Sequence, residues 1–226
     1  TECRRLGFAF DRVAYIPNGI DVDQFKLKSF SRARYNSNIR KKFNLAKEDI
    51  IVGAVGSLDP MKNYELFLKL AQRKIASQSN IFFVWLGSGP FEQNMHFDNL
   101  CTKLELHPFV KRLDQNANIL PFYQSIDLMI STSSYGEGFS NVIAEAACCG
   151  VPVLASNIAE ASNILVREEL LFEPDNIAEL NQKFNVLTEM SNSDRRSLGL
   201  SLRQRIVDQF SLELLCRRTE ELLIGK

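Results

Sequence analysis

The chain is short of imidazole: two histidines in 226 residues, beside a single tryptophan. His96 and His107 stand apart from any cysteine or paired acidic pattern. Neither a zinc site nor a Ser-His-Asp triad has anything to build on. The five cysteines (Cys3, Cys101, Cys148, Cys149, Cys216) are odd in number and contain no C-x-x-C pair. That argues against a disulfide or zinc framework and fits a reducing, cytoplasmic setting. Cys148 and Cys149 sit in an apolar segment and are expected as small buried hydrophobes. Net charge is also lacking, since 27 basic residues balance 27 acidic ones. A general nucleic-acid binder and a disordered chain are both disfavoured. No apolar run approaches the roughly 18 residues of a membrane span. The first ten residues, TECRRLGFAF, hold no signal-peptide core and no initiator Met, so a chain starting at Thr1 reads as a fragment or a processed piece.

What is present is an ordinary globular composition, 45% hydrophobic and 24% charged. Strand-like and helix-like runs alternate. Ile50–Gly56, Ile81–Leu86, Phe109–Leu113, Ile126–Ser131, Val151–Ser156 and Leu170–Phe172 read as strands. The first two are continuous apolar runs, as in a parallel strand buried on both faces. Between them, Asn63–Gln78, Phe91–Leu106, Leu120–Ser125, Asn141–Cys149 and Asn176–Met190 read as helices. Ser193–Ile224 reads as two more, broken near Phe210-Ser211. The alternation predicts an α/β fold: a Rossmann-like parallel sheet with helices on both faces, followed by C-terminal helices. Such sheets bind ligands at the carboxyl ends of their strands. The loops 56–62, 87–90 and 132–140 all follow strands and should gather on that edge.

Residues 26–42 carry Lys26, Lys28, Arg32, Arg34, Arg40, Lys41 and Lys42 and no acid. A solvated lead-in and first helix is the default reading. A peripheral contact with anionic lipid on the cytoplasmic membrane face is the functional alternative, each charge contributing about 1 kcal/mol near the surface.

The chemistry concentrates in residues 135–156, YGEGFSNVIAEAACCGVPVLAS. A buried strand ends, a glycine-containing loop follows, and a helix begins near Ser140 or Asn141. Its first N–H groups lack intrahelical partners, and its dipole favours an anion there. Gly136 and Gly138 allow close backbone approach. Glu137 lies in the loop and Glu145 one turn into the helix, so two carboxylates flank an anion site. A diphosphate with polyols on either side matches that layout.

This segment resembles the E-x7-E signature of the family 4, or group 1, retaining nucleotide-sugar glycosyltransferases. Glu137-Gly138-Phe139, Glu145-Ala146, Gly150 and Pro152-Val153 fall on the fixed positions of that pattern. AYIPNGIDVDQF (14–25) is similar to the family's interdomain linker, VGSLDPMKN (55–63) to its first phosphate loop, and VWLGSGP (84–90) to its second. FSLELLCRRTEELL (210–223) resembles its closing helix, with Leu212 where Trp is common.

The resemblance implies the donor-binding half of a two-domain GT-B enzyme. Residues 1–25 would be the end of the N-terminal region and the linker, and 26–226 the donor domain. A separate N-terminal acceptor domain of roughly 160–190 residues would precede it. The implied activity is retaining transfer of a sugar from a nucleotide diphosphate sugar, UDP before GDP, to a saccharide or lipid-linked acceptor in cell-surface glycan synthesis. No metal cofactor is implied. By the same resemblance, Glu145 takes the ribose hydroxyls, Glu137 the transferred sugar, and Lys62 the diphosphate. Gly138, Phe139, Ser140, Asn141 and Val142 supply backbone N–H groups. Gly56, Gly87, Arg112 and Leu113 line the nucleotide. One departure stands out: Ser57 occupies a position where the family often has Arg. Ser cannot clamp a phosphate with two bonds. A nucleotide-binding module without transferase activity in this chain is the alternative reading.

Overall fold

The computed structural model describes Gly7 and residues 13–26, 29–76, 80–114 and 118–224. The predicted linker start in residues 1–12 (Gly7 aside), Cys3, Lys28, the Arg32 side chain and the helix end at Gln78 lie outside the described residues. Among the described residues, six strands form one parallel sheet: β1 (Ile50–Val55), β2 (Ile81–Leu86), β3 (Val110–Leu113), β4 (Leu128–Ser131), β5 (Val153–Ser156) and β6 (Leu171–Phe172). The order across the sheet is β3-β2-β1-β4-β5-β6. This is the α/β, Rossmann-like architecture the sequence predicts. β1 and β2 pair in register from Ile50 opposite Ile81 to Val55 opposite Leu86. Their apolar runs are continuous because helices cover both faces, which removes the need for polar alternation.

The helices are α1 (Ser29–Phe43), α2 (Tyr64–Ile75), α3 (Phe91–Lys103), α4 (Leu120–Tyr123), α5 (Asn141–Cys148), α6 (Ala161–Leu165), α7 (Ile177–Glu189), α8 (Asn192–Phe210) and α9 (Leu212–Ile224). They pack in two groups: α2 against α3 and α7, and α5 against α6 and α8. α2 buries Leu66, Phe67, Leu70 and Ala71, the face its spacing predicts, but it ends at Ile75. Phe67 meets Phe83 and Trp85 edge-on at ring centroid distances of 5.5 and 5.4 Å. Offset and edge-on rings are the favourable geometry for such a cluster.

Several strands are shorter than expected. Ile126 and Asp127 precede β4, and Val151 and Pro152 precede β5. Just ahead of β4 the Asp127 N–H still donates to the Ile51 carbonyl at 2.8 Å, while its carboxylate accepts from the Ile51 N–H at 3.0 Å and pairs with Arg40 at 2.9 Å. α6 and a 3-10 turn at Glu168–Leu170 were not expected. Each is a five-residue or shorter element, too brief to impose a hydrophobic period. The basic lead-in does contain a helix, α1, but Arg40 is a correction. It is no solvated cation, since it also donates to the Ala46 and Asp49 carbonyls and holds α1 to the sheet. No helix among the described residues is long and apolar enough to cross a membrane.

α8 packs against α5, and its Gly199 lies against the turn that leaves α5 toward β5. A Cβ added at Gly199 would sit 2.1 Å from the Gly150 carbonyl oxygen and 3.2 Å from Pro152 Cδ. A mid-helix glycine ordinarily costs about 1 kcal/mol relative to alanine, so close packing must outweigh that cost. Replacing Gly199 with Ala is therefore expected to destabilise the fold by about 2–3 kcal/mol despite the better helix former. Thermal denaturation checks this, with a fall of about 5–10 °C in melting temperature expected.

Candidate functional site

The strand order reverses between β1 and β4, so the chain leaving β1 and the chain leaving β4 turn to opposite sides. A crevice opens between them at the carboxyl edge. The two loops are bound into one unit. Thr132 Oγ1 donates to the Lys62 carbonyl at 2.9 Å, and the Ser134 N–H to the Met61 carbonyl at 2.9 Å. Asn63 caps α2 from a left-handed conformation, φ 47°, accepting from the Leu66 N–H at 3.1 Å. Its amide also donates to Ser134 Oγ at 2.8 Å. These bonds turn the Lys62 side chain across the crevice instead of out to water.

There the Lys62 ammonium pairs with the Glu137 carboxylate. The two side chains are only 17% and 12% exposed. Ser133 Oγ donates to the same carboxylate oxygen at 2.8 Å. Ser133 is itself buried. The two residues expected to act on the diphosphate and the sugar are thus brought together from loops 75 positions apart. Gly56 lies under the lysine stem, where a Cβ would approach Lys62 Cγ to 3.0 Å. Trp85 Nε1 donates to the Gly56 carbonyl at 2.9 Å. Gly87 adopts φ 143°, and a Cβ there would lie 2.0 Å from the Gly56 oxygen. Gly56 and Gly87 are therefore a mutual contact between two loops, which gives the second loop a structural duty first.

Ser57 is exposed, and its hydroxyl donates to the Asp59 carboxylate. Asp59 also accepts from the Lys62 N–H at 3.1 Å. A carboxylate, not a second cation, stands beside the position where the resemblance leads one to expect Arg.

α5 begins at Asn141 with Ser140 as its cap residue, and no side chain caps it. Ser140 is 5% exposed, and its hydroxyl finds no hydrogen-bond partner among the described residues. A buried polar atom left unpaired is costly, which singles this one out. Gly138 is exposed, and a Cβ there would meet nothing within 4 Å. No internal contact accounts for its small size. Phe139 packs on Phe210 at 5.4 Å between ring centroids, so its side chain belongs to the core edge. Val142 also packs against the core. Asn141 accepts from the Asn18 amide at 3.2 Å, joining the linker to the helix start.

Glu145 lines a cavity of about 280 Å³ with Asn18, Gly19, Asp21 and Asn141. Its Oε2 accepts from the hydroxyl of Tyr123, a fully buried residue, at 2.8 Å. Burial lifts the Glu145 carboxyl above the ordinary range, and the tyrosine bond offsets part of that lift. Arg112 and Leu113 sit apart, at the end of β3. The Arg112 guanidinium reaches Asp114 at 2.7 Å, and the Leu113 carbonyl accepts from the Gly87 N–H at 2.8 Å. A larger concavity, about 810 Å³, lies at the opposite edge of the sheet around Arg40, Lys41, Asp49 and Asp127. It contains none of the residues predicted for the donor site, and it lies at the amino ends of the strands.

Sequence reasoning missed Tyr123, Ser133 and Asp59. The run Thr132-Ser133-Ser134 after an apolar strand was a usable signal for polar groups at the carboxyl edge. Tyr123 gave none, since an aromatic residue in a short helix reads as core.

The parallel sheet and its helices form the α/β, Rossmann-like layer found in GT-B glycosyltransferases. The chain belongs to the glycosyl transferases group 1 family, whose description it matches over residues 36–204. It is 31% identical over 169 residues to the D-inositol 3-phosphate glycosyltransferase of Salinispora tropica, covering 70% of this chain and 34% of that protein. It is 23% identical over 208 residues to the capsular polysaccharide biosynthesis glycosyltransferase CapM of Staphylococcus aureus, covering 91% of this chain and 52% of that one. The fold is similar to that of Anabaena Alr3699/HepE in complex with UDP and glucose, at 22% identity and a TM-score of 0.85 over 99% of this chain and 60% of that chain. The chain thus spans between a third and three-fifths of the length of these three relatives.

The raised Glu145 carboxyl carries a stability prediction. A carboxyl whose folded pKa lies above its unfolded value contributes most when protonated, and that contribution is lost as pH rises through the folded value. At neutral pH the charge on Glu145 is therefore unfavourable to the fold. Glu145→Gln keeps an acceptor for Tyr123 and removes the charge. It is expected to raise the neutral-pH melting temperature by about 1–3 °C, with the gain fading in acid, as read by melting curves across pH.

Proposed function

We propose that this chain is the donor-binding part of an enzyme that transfers a sugar from a nucleotide diphosphate sugar to a hydroxyl acceptor, with retention of the anomeric configuration. The observation that carries the reading is the pairing of Lys62 with Glu137 beside the uncapped start of α5. A cation, free helix N–H groups and a buried hydroxyl without a partner together suit a diphosphate. The carboxylate that now holds the lysine suits sugar hydroxyls. On binding, the diphosphate takes over Lys62, and Glu137 turns to the transferred sugar. Lys62 and the helix dipole then stabilise the charge that builds on the leaving diphosphate, in the place a metal ion would take. Glu145 accepts from the ribose hydroxyls. The open space at Gly138 admits the donor close to the backbone.

Uridine is the preferred base, supported by the fold shared with a UDP complex. The acceptor is a saccharide or lipid-linked glycan of the cell surface, supported by relatives named for capsule synthesis. A preceding N-terminal domain would supply the acceptor side of the cleft. The cytoplasm, with peripheral contact to the membrane face, is the proposed location. A second reading, nucleotide binding without transfer, draws on the Ser57–Asp59 bond, which puts a negative group where the resemblance expects a second cation.

Thermal denaturation and calorimetric titration test the reading. UDP at millimolar concentration is expected to raise the melting temperature by several degrees, and GDP by less. Lys62→Ala is expected to weaken UDP binding about 10–100-fold while leaving uridine binding unchanged. The reading is lost if neither nucleotide binds. Glu137→Gln removes the competitor for Lys62 and is expected to tighten UDP binding about 3–10-fold while slowing sugar transfer by the full-length enzyme. Binding and transfer falling together in that variant would contradict the exchange of partners.

A further inference from the structure

We infer that Tyr123 is a positioning residue for nucleotide recognition, holding the Glu145 carboxylate in the orientation that accepts the ribose diol. The inference rests on the placement of ribose at Glu145 proposed above, and goes beyond it to a residue that touches no substrate.

Tyr123 has the properties of a fixed donor. It is fully buried. Its ring is wedged between Phe25 and Phe122, at centroid distances of 6.2 and 6.3 Å. Its hydroxyl donates to Glu145 Oε2 at 2.8 Å. Burial and the nearby Glu145 charge hold the phenol well above its ordinary range, so it stays protonated and can only give its proton to this bond. Glu145, by contrast, is half-buried on α5 and would be free to choose among rotamers. The tyrosine takes one carboxylate oxygen. The other, Oε1, accepts no hydrogen bond among the described residues and is left for a ligand. A carboxylate pinned at one oxygen presents the two lone pairs of the other to the ribose hydroxyls in a defined direction.

The geometry also shows why this is not a by-product of core packing. Tyr123 comes from α4, a four-residue helix, and Phe25 from the linker. Tyr123 thus ties two separate segments, α4 and the linker, to the acid of α5. A phenylalanine would fill the same core volume, and the only interaction it would lose is the one to Glu145.

Tyr123→Phe is the test, read by calorimetry with UDP and with 2′,3′-dideoxy-UDP, which lacks the diol. In the wild-type protein, UDP binds and the dideoxy compound binds more weakly. Tyr123→Phe is expected to weaken UDP about tenfold and to leave the dideoxy compound unchanged. In a Glu145→Ala background the same substitution is expected to change UDP affinity by less than twofold, because there is no carboxylate left to orient. Equal weakening of UDP and its dideoxy analogue would overturn the inference, since it signals a loosened pocket. So would an unchanged UDP affinity. If the wild-type protein binds no UDP, the placement of the nucleotide fails first. If Tyr123→Phe does not fold, Phe25→Leu loosens the ring while keeping the hydroxyl, and a smaller loss confined to UDP is then expected; equal loss on both ligands overturns the inference.

Discussion

The reversal of strand order between β1 and β4 is the constraint on which the site depends. In a parallel sheet every strand ends on the same edge, but only where consecutive connections diverge does a crevice open without a loop crossing it. Here the divergence is held by two short bonds, Thr132 to the Lys62 carbonyl and Ser134 to the Met61 carbonyl. They lock loops that sequence separates by about 70 positions. With the loops locked, the Lys62 side chain meets Glu137 across the crevice.

On the proposed reading, the ion pair at the centre of this crevice is an arrangement poised for exchange. A buried pair stripped of one partner is costly, so Lys62 and Glu137 hold each other while no ligand anion is present. A diphosphate offers the lysine more negative charge than one carboxylate does, and sugar hydroxyls offer the carboxylate donors in return. The uncapped start of α5 and the unpaired Ser140 hydroxyl point the same way. Each leaves polar groups unsatisfied by the protein, a condition that folded chains tolerate mainly where function requires it.

Much of the fold was legible because parallel strands buried on both faces leave an unmistakable run of apolar residues. Ile81–Leu86 begins and ends where its sequence says it should. Boundaries next to long-range side-chain bonds were not legible: just ahead of β4 the Asp127 carboxylate takes the Ile51 N–H and Arg40, partners in distant segments. The site was partly legible for the same reason. Glu137, Ser140 and Glu145 sit in one local stretch where a strand, a loop and a helix start follow each other, and local sequence carries that pattern. Arg40 misled because a basic run looks solvated until a carboxylate from 87 positions away is placed against it.

Sequence alone therefore determined the layered α/β class, the edge on which the candidate loops gather and the family to which the chain belongs. These follow from periodicity and from residues close together in the chain. Tertiary structure alone decided that Lys62 faces Glu137, that Ser57 is committed to Asp59, and that Tyr123 holds Glu145. Each of these depends on the distance and direction between side chains brought together by the packing of separate loops and helices. Electrostatic and hydrogen-bond energies fall steeply with both, and residue order does not encode either one directly.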